Sequence, residues 1–323
     1  MKRYPNKDLK VVQAPPRPTP DGFPFKKHFL AVVAGSRGMG KTNSLINLVL
    51  HAEAIGFWDK VYLFSPTMKN DPKNDLLRNR SFEFHAYDYY SDALFKEVDA
   101  SIRDDIAEYK RYEVEKKVYD KWMKHGAKGM DPDELRILDS MLFDDETIRE
   151  PVSRFKAMPT TLLIMDDLVS NTQLYRPQCR GPFYAFAIAH RHFCTSIIFS
   201  VQTWKGAVPR GLRANLSLLM LFRAKRSIMK LVSDEVCTTM EEDDFYRLWD
   251  DACKEPHDLL MVDFDQPEWK GRYRRNFDEI YTSVPGSSHP LSLPKEEGLR
   301  KPLQACEAGA GPGRRPEALQ DHH

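Results

Sequence analysis

A mostly parallel α/β sheet covered by helices on both faces is the fold class that this 323-residue sequence predicts. Short, continuous apolar runs recur along the chain, and helical spacing separates several of them. A glycine-rich turn joins the first run to the first helix. Runs that are apolar at every position suit strands with protein above and below them, as parallel sheets require.

The strands read in order as FLAVVA at 29–34, VYLFS at 61–65, TLLIM at 161–165, TSIIFSV at 195–201, LSLLMLF at 216–222 and DLLMVDF at 258–264. Between the first two, KTNSLINLVLHAEAIG at 41–56 places Leu45, Leu48, Val49 and Ala52 on one helical face, with Gly56 to end it. A further helix is expected from near Phe183 to near His190. The aromatic residues of 265–279 are read as a final hairpin.

Proline delimits the folded body. Of 22 prolines, six fall in residues 1–24 and six in 285–323, where no hydrophobic period accompanies them. The expected organisation is an N-terminal arm over 1–24, an α/β body over 25–284 and a disordered tail over 285–323. Within the body, 96–150 carries 27 charged residues in 55, read as a solvated helical insertion.

Composition narrows the setting. Apolar residues make up 41%, and 48 Lys plus Arg against 47 Asp plus Glu give a net charge of +1, so bulk charge does not select a partner. No apolar run reaches the ~18–20 residues of a membrane span. The first ten residues lack the apolar core of a secretion signal. Five cysteines, an odd number without a CxxC, argue against a disulfide framework. The expectation is an intracellular protein that is not secreted.

GSRGMGKT at 35–42 fits G-x-x-x-x-G-K-[ST], placed between a strand and a helix. A triphosphate brings several negative charges into a desolvated site. Such a loop answers with inward-facing N–H groups and the positive end of a helix. Gly35, Ser36, Arg37, Gly38, Met39, Gly40, Lys41 and Thr42 are the expected nucleotide-binding residues. Lys41 would reach the β- and γ-phosphates, and the Thr42 hydroxyl would hold Mg²⁺.

The run TTLLIMDD ends in two carboxylates at the edge where parallel sheets bind ligands. Alternation points them in different directions, so Asp166 is expected at the metal and Asp167 at the attacking water. The next run ends in Gln202, whose neutral amide can sense a γ-phosphate or the lytic water. From 168 to 233 there is no acidic residue and there are ten basic ones. That imbalance asks for an anion: phosphate held by a neighbouring subunit, or a nucleic-acid backbone. His190, His192 and Cys194 lack a fourth donor nearby. They are read as a helix C-terminus, where His and Arg favour the negative pole, rather than as zinc ligands.

Taken in order, GMGKT, LLIMDD, IIFSVQ and VPRGLRANLSLLMLFR resemble the FtsK/HerA superfamily, and within it the genome-packaging ATPases of large double-stranded DNA viruses, the poxvirus-type group. The resemblance spans about residues 27–282. It implies a RecA-like P-loop NTPase with a sheet of order 5-1-4-3-2, ATP and Mg²⁺ as cofactors, and hydrolysis between the subunits of a homo-oligomeric ring (hexamer or pentamer). The implied partners are double-stranded DNA, bound without sequence preference, and capsid or portal-type proteins. The implied place is a viral assembly site in the host cell, or the virion. Lys41, Asp167 and Gln202 match catalytic positions, and Arg213 matches a finger given across the subunit interface, with Arg210 and Arg223 as rivals. Members often carry Asp-Glu where this chain has Asp166-Asp167. A stand-alone helicase, another P-loop ATPase or a nucleotide-switched assembly factor are the alternative readings.

Overall fold

The computed structural model describes residues 26, 28–67, 72–142, 147–168, 171, 173, 174, 181–204, 208–236, 240–267 and 269–286. The expected N-terminal arm, nearly all of the expected tail, and Arg176, Cys179, Arg180, Lys205, Cys237 and Cys306 lie outside them. By contacts the chain divides into Met1–Pro285 and Gly286–His323. The first of these units carries the sheet.

All six apolar runs are strands: β1 (Leu30–Ala34), β2 (Lys60–Phe64), β4 (Thr161–Asp166), β5 (Thr195–Val201), β6 (Leu218–Leu221) and β7 (Leu260–Asp263). Short β3 (Glu83–Tyr87), β8 (Tyr273–Arg275) and β9 (Glu279–Ile280) complete a nine-stranded sheet of order β3-β2-β4-β5-β1-β6-β7-β8-β9. Strands β3 to β6 in that row pair in parallel, whereas β7, β8 and β9 add antiparallel hairpins. The five central strands, numbered by their own chain order, run 5-1-4-3-2, the order expected of a RecA-like fold. β3 has no counterpart in the sequence reading. It is an edge strand of mixed residues, EFHAY, half-buried or exposed throughout, so no apolar run announces it.

Both faces of the sheet are buried. Along β1, Leu30, Val32 and Ala34 join one apolar cluster while Ala31 and Val33 join the other. The helix α1 (Lys41–Ala54) covers the second cluster through Leu45, Ile46, Leu48, Val49 and Ala52. The first is covered by α2 (Asp92–His125), α4 (Pro182–Ala189), α5 (Arg210–Arg213), α6 (Arg226–Val236) and α7 (Glu242–Ala252).

The charged insertion is mostly one helix. α2 has 34 residues, about 50 Å at the α-helical rise, with Ser91 as its N-cap and Gly126 just beyond its end. Its first half buries Phe95, Val98, Ile102, Ile106 and Tyr109 at helical spacing; beyond these only Val118 is buried. There it meets α3 (Pro132–Ser140), which opens on a capping box between Asp131 and Glu134, with Lys121 of α2 bonded to Glu134. Buried Asp105 anchors the helix to the sheet, 2.6 Å from Lys60 at the start of β2.

Parallel pairing in register brings the carboxyl ends of the central strands level. Phe64 faces Met165, Asp166 faces Ser200, and Ala34 faces both Val201 and Leu221. The residues that follow these positions therefore share one edge of the sheet.

α4 passes through a short 3₁₀ turn, His190–Phe193, into β5. His190 is 3% exposed, and its Nδ1–H donates to the Thr195 carbonyl at 2.7 Å. Burial lowers its pKa from 6.5 to about 4, so it sits there neutral, as a buried tie rather than a charge at a helix pole. The unfolded chain takes up this proton near pH 6.5, whereas the folded chain resists until about pH 4. Stability should therefore fall with pH through that window, by about 2 kcal/mol between pH 7 and pH 5 from this residue. Urea unfolding at the two pH values, with His190→Gln as the non-titrating control, measures it; an unchanged difference in the variant would contradict the assignment.

Candidate functional site

The loop between β1 and α1 is stitched to the strands beside it. Gly35 N–H donates to the Val201 carbonyl at 3.3 Å, and Ser36 N–H donates to the Arg223 carbonyl at 3.1 Å. A side chain at Gly35 would bring its Cβ within 2.6 Å of Phe222 Cβ, so the loop starts closer to β6 than any other residue allows. Gly40 sits at φ +95° and caps α1 without a side chain. The first turn of α1 contains no acidic residue, which leaves its positive end available to an anion.

Arg37, Gly38, Gly40, Lys41 and Thr42 line a cavity of about 620 Å³ together with Asp166, Asp167 and Gln202. Gly35, Ser36 and Met39 of the expected set do not line it; Met39 packs against the apolar cluster under α1. Lys41 Nζ donates to the Gly35 carbonyl at 2.8 Å and the Ser36 carbonyl at 3.0 Å, so the ammonium is folded over its own loop. Burial lowers the Lys41 pKa, and the charges of Asp166 and Asp167 partly offset that.

Asp166 is 8% exposed and accepts from two neutral hydroxyls, Ser65 Oγ at 3.3 Å and that of Ser200. Its pKa is raised, first by burial; the two hydroxyls and Lys41 act against the rise. A buried carboxylate held only by neutral donors is a poor resting place for a charge and a good one for a cation. Among the described residues no group of three or more His, Cys, Asp or Glu could hold a metal, so a protein-only cage is absent there. Magnesium suits this donor set, since it commonly takes one or two protein oxygens and completes its shell with water and substrate phosphate.

Asp167 leaves the strand at φ +50°, a left-handed turn that Asp tolerates, with its N–H on the Ser200 carbonyl at 3.2 Å. The turn separates its carboxylate from that of Asp166. Gln202 Nε2 then donates to Asp167 Oδ1 at 3.0 Å. The amide thus orients the neighbouring carboxylate directly, a pairing across β4 and β5 that strand-end position alone does not reveal.

Arg213 is not at this cavity. Its side chain is 10% exposed, with Nε on Glu235 Oε2 at 2.7 Å and the guanidinium also on the Val208 carbonyl. Trp204 lies beneath it at 5.8 Å and donates to the same Glu235 oxygen at 3.2 Å. Arg213 is therefore engaged within its own chain, where it fastens the segment after Gln202 to α6. Arg223 donates to the carbonyls of Cys253 and Lys254. Arg210 is exposed, and no hydrogen bond engages its side chain among the described residues.

Asn43, Thr67, Ser200 and His257 line the cavity but escape the sequence reading, as does Ser65, which donates to Asp166. Ser65 and Ser200 end or nearly end apolar strands, and their hydroxyls matter only because the strands are level. Thr67 follows β2. His257, before β7, comes from a distant part of the chain and lies against Gly40. Among the described residues no helix is long and apolar enough to cross a membrane.

No protein-family model matches the chain, and no curated protein does. Solved structures similar to it include the genome packaging NTPase B204 of Sulfolobus turreted icosahedral virus 2. In complex with AMP it is 12% identical at a TM-score of 0.42, over 75% of this chain and 95% of that one. The pCW3 conjugation coupling protein TcpA in its ATPgS form is 12% identical at 0.37, over 80% and 61%. The cytoplasmic domain of the Thermomonospora curvata type VII secretion ATPase EccC is 14% identical at 0.37, over 82% and 26%.

Two outcomes are expected of this geometry. Asp166→Asn removes a buried charge that destabilises the fold, so its thermal midpoint at pH 7 should equal or exceed that of the parent. Arg213→Ala breaks charge-assisted bonds to Glu235 and to the Val208 carbonyl and should cost about 2 kcal/mol of stability. Calorimetry reads both; an unshifted midpoint for Arg213→Ala would mean that the tie to α6 is idle.

Proposed function

We propose that this chain is a magnesium-dependent ATPase that translocates double-stranded DNA and packages a viral genome as a homo-oligomeric ring. The observation that carries the ATPase reading is the meeting of Lys41 and Thr42 with Asp166, Asp167 and Gln202 in one cavity at the carboxyl edge of the sheet. The order of the four motifs supports the translocase reading over other P-loop enzymes.

In this reading the loop N–H groups and Lys41 take the phosphates, the ammonium exchanging the carbonyls of Gly35 and Ser36 for β- and γ-phosphate oxygens. Thr42 and Asp166 would hold Mg²⁺, which when bound neutralises charge between the phosphates. Asp167, oriented by Gln202, accepts the proton of the attacking water. A γ-phosphate that draws on the Gln202 amide competes with Asp167 for it. Occupancy of the site is thereby passed to the segment after Gln202, which Trp204, Arg213 and Glu235 tie to α6.

Engagement of Arg213 and Arg223 inside the chain leaves Arg210, exposed on α5, as the arginine given to a neighbour's phosphate. The exposed Lys225, Arg226 and Lys230 lie in a stretch without acids and suit a DNA backbone, whose contacts need charge and not sequence. Capsid or portal-type proteins are the partners that packaging requires.

The deciding measurement is ATP hydrolysis with and without long duplex DNA, alongside particle mass with ATP. The expected result is DNA-stimulated turnover by a ring, abolished by Lys41→Ala. Mixing Arg210→Ala with Asp167→Asn subunits should restore part of the activity that each lacks, because intact interfaces re-form. Tight ATP binding with turnover indifferent to DNA would favour an assembly factor, and unwinding of forked duplexes would favour a helicase.

A further inference from the structure

The cavity has two ends, and they differ in chemistry. Asp166, Asp167 and Gln202 form the end beneath β4 and β5. Across β1 and its loop, the other end is bordered by His257, from the connection between α7 and β7. Leu260 at the start of β7 pairs with Leu221 at the end of β6, so this connection reaches the same edge of the sheet as the phosphate loop. Metal and terminal phosphate belong with the carboxylates, which leaves the far end for the nucleoside.

His257 presents the single aromatic ring among the described residues lining the cavity. A Cβ on Gly40 would lie 2.9 Å from His257 Nδ1, so the missing side chain of Gly40 makes the room that the imidazole uses. His257 is exposed, has φ +71°, and its ring has no hydrogen-bond partner among the described residues. A left-handed backbone at a non-glycine residue is kept only where its surroundings impose it.

Those surroundings are rigid on both sides. The Asp258 carboxylate accepts from Arg275 Nε at 2.9 Å and Asn276 Nδ2 at 2.9 Å. On the other side Arg223 holds the carbonyls of Cys253 and Lys254, while its own carbonyl accepts from Ser36 of the phosphate loop. An exposed ring, aimed into a cavity from a fastened and strained loop, has the form of a ligand contact set before the ligand arrives.

We infer that His257 is the nucleoside contact of this site, stacking its imidazole on the base of the bound nucleotide. The inference rests on the nucleotide reading proposed above. It adds that affinity for ATP is divided between a phosphate end, built by the loop, and a base end, built by the α7–β7 connection. Gly40 serves both ends, through its backbone at the first and its bareness at the second.

Calorimetric titration of the full chain with MgATP and with magnesium tripolyphosphate separates the two ends. His257→Ala should weaken ATP about tenfold, the scale of one lost base–aromatic stack, and leave tripolyphosphate affinity unchanged. His257→Phe, which keeps a flat ring, should retain most of the ATP affinity. Equal losses on both ligands, or none on ATP, would overturn the assignment while leaving the nucleotide reading standing. Parent protein that binds neither ligand would overturn both. Should His257→Ala not fold, the Phe variant and a His257→Gln variant carry the same comparison.

Discussion

Two opposite charges share one poorly solvated cavity, and the rest of the site is arranged around that fact. Lys41 and Asp166 are each pushed by burial towards their neutral forms, and each is partly restored by the other. Lys41 rests on its own loop carbonyls, and Asp166 rests on two hydroxyls. Neither arrangement satisfies the charge as a phosphate and a divalent cation would. A cavity that is electrostatically incomplete by itself favours a ligand supplying both signs at once, which is what a magnesium–triphosphate complex offers.

The sheet makes this possible through register. Parallel strands paired in step finish at one edge, so that Ser65, Asp166, Ser200, Gln202 and Gly35 are neighbours although they are spread over 168 positions of chain. The antiparallel additions matter as much. β7 returns along β6 and delivers His257 to the same edge, where a seventh parallel strand would have carried its leading loop to the opposite one. A second set of bonds runs away from the cavity, from Asp167 through Gln202 to the segment that Trp204, Arg213 and Glu235 fasten to α6. Changes at the carboxylate end of the cavity therefore have a covalent and hydrogen-bonded route to a helix packed on the sheet.

Long charged α2 departs from the pattern of the other helices. Only its first half packs on the sheet; the remainder meets α3. Buried Asp105, paired with Lys60, sets its register against β2, since an unpaired charge at that depth would cost several kcal/mol. Composition suggests a solvated insertion, and packing turns half of it into core.

What the sequence determined by itself was whatever depends on neighbours in the chain. Apolar runs mark the six strands because strands buried on both faces need apolar residues at every position. Gly35, Gly38 and Gly40 with Lys41 and Thr42 form a local device, and Asp166, Asp167 and Gln202 were legible as polar residues ending buried strands. Only the tertiary structure decided the rest. The edge strand β3 has no apolar signature because one side of it faces solvent. Ser65 and Ser200 become a shell for Asp166, and Gln202 a partner for Asp167, through register between strands far apart in sequence. Arg213 reads locally as a surface arginine, yet Glu235 and Trp204 close on it from elements that come near only after packing. His257 belongs to no motif at all. Its position beside Gly40 comes from the antiparallel return of β7, a long-range choice that no window of neighbouring residues encodes.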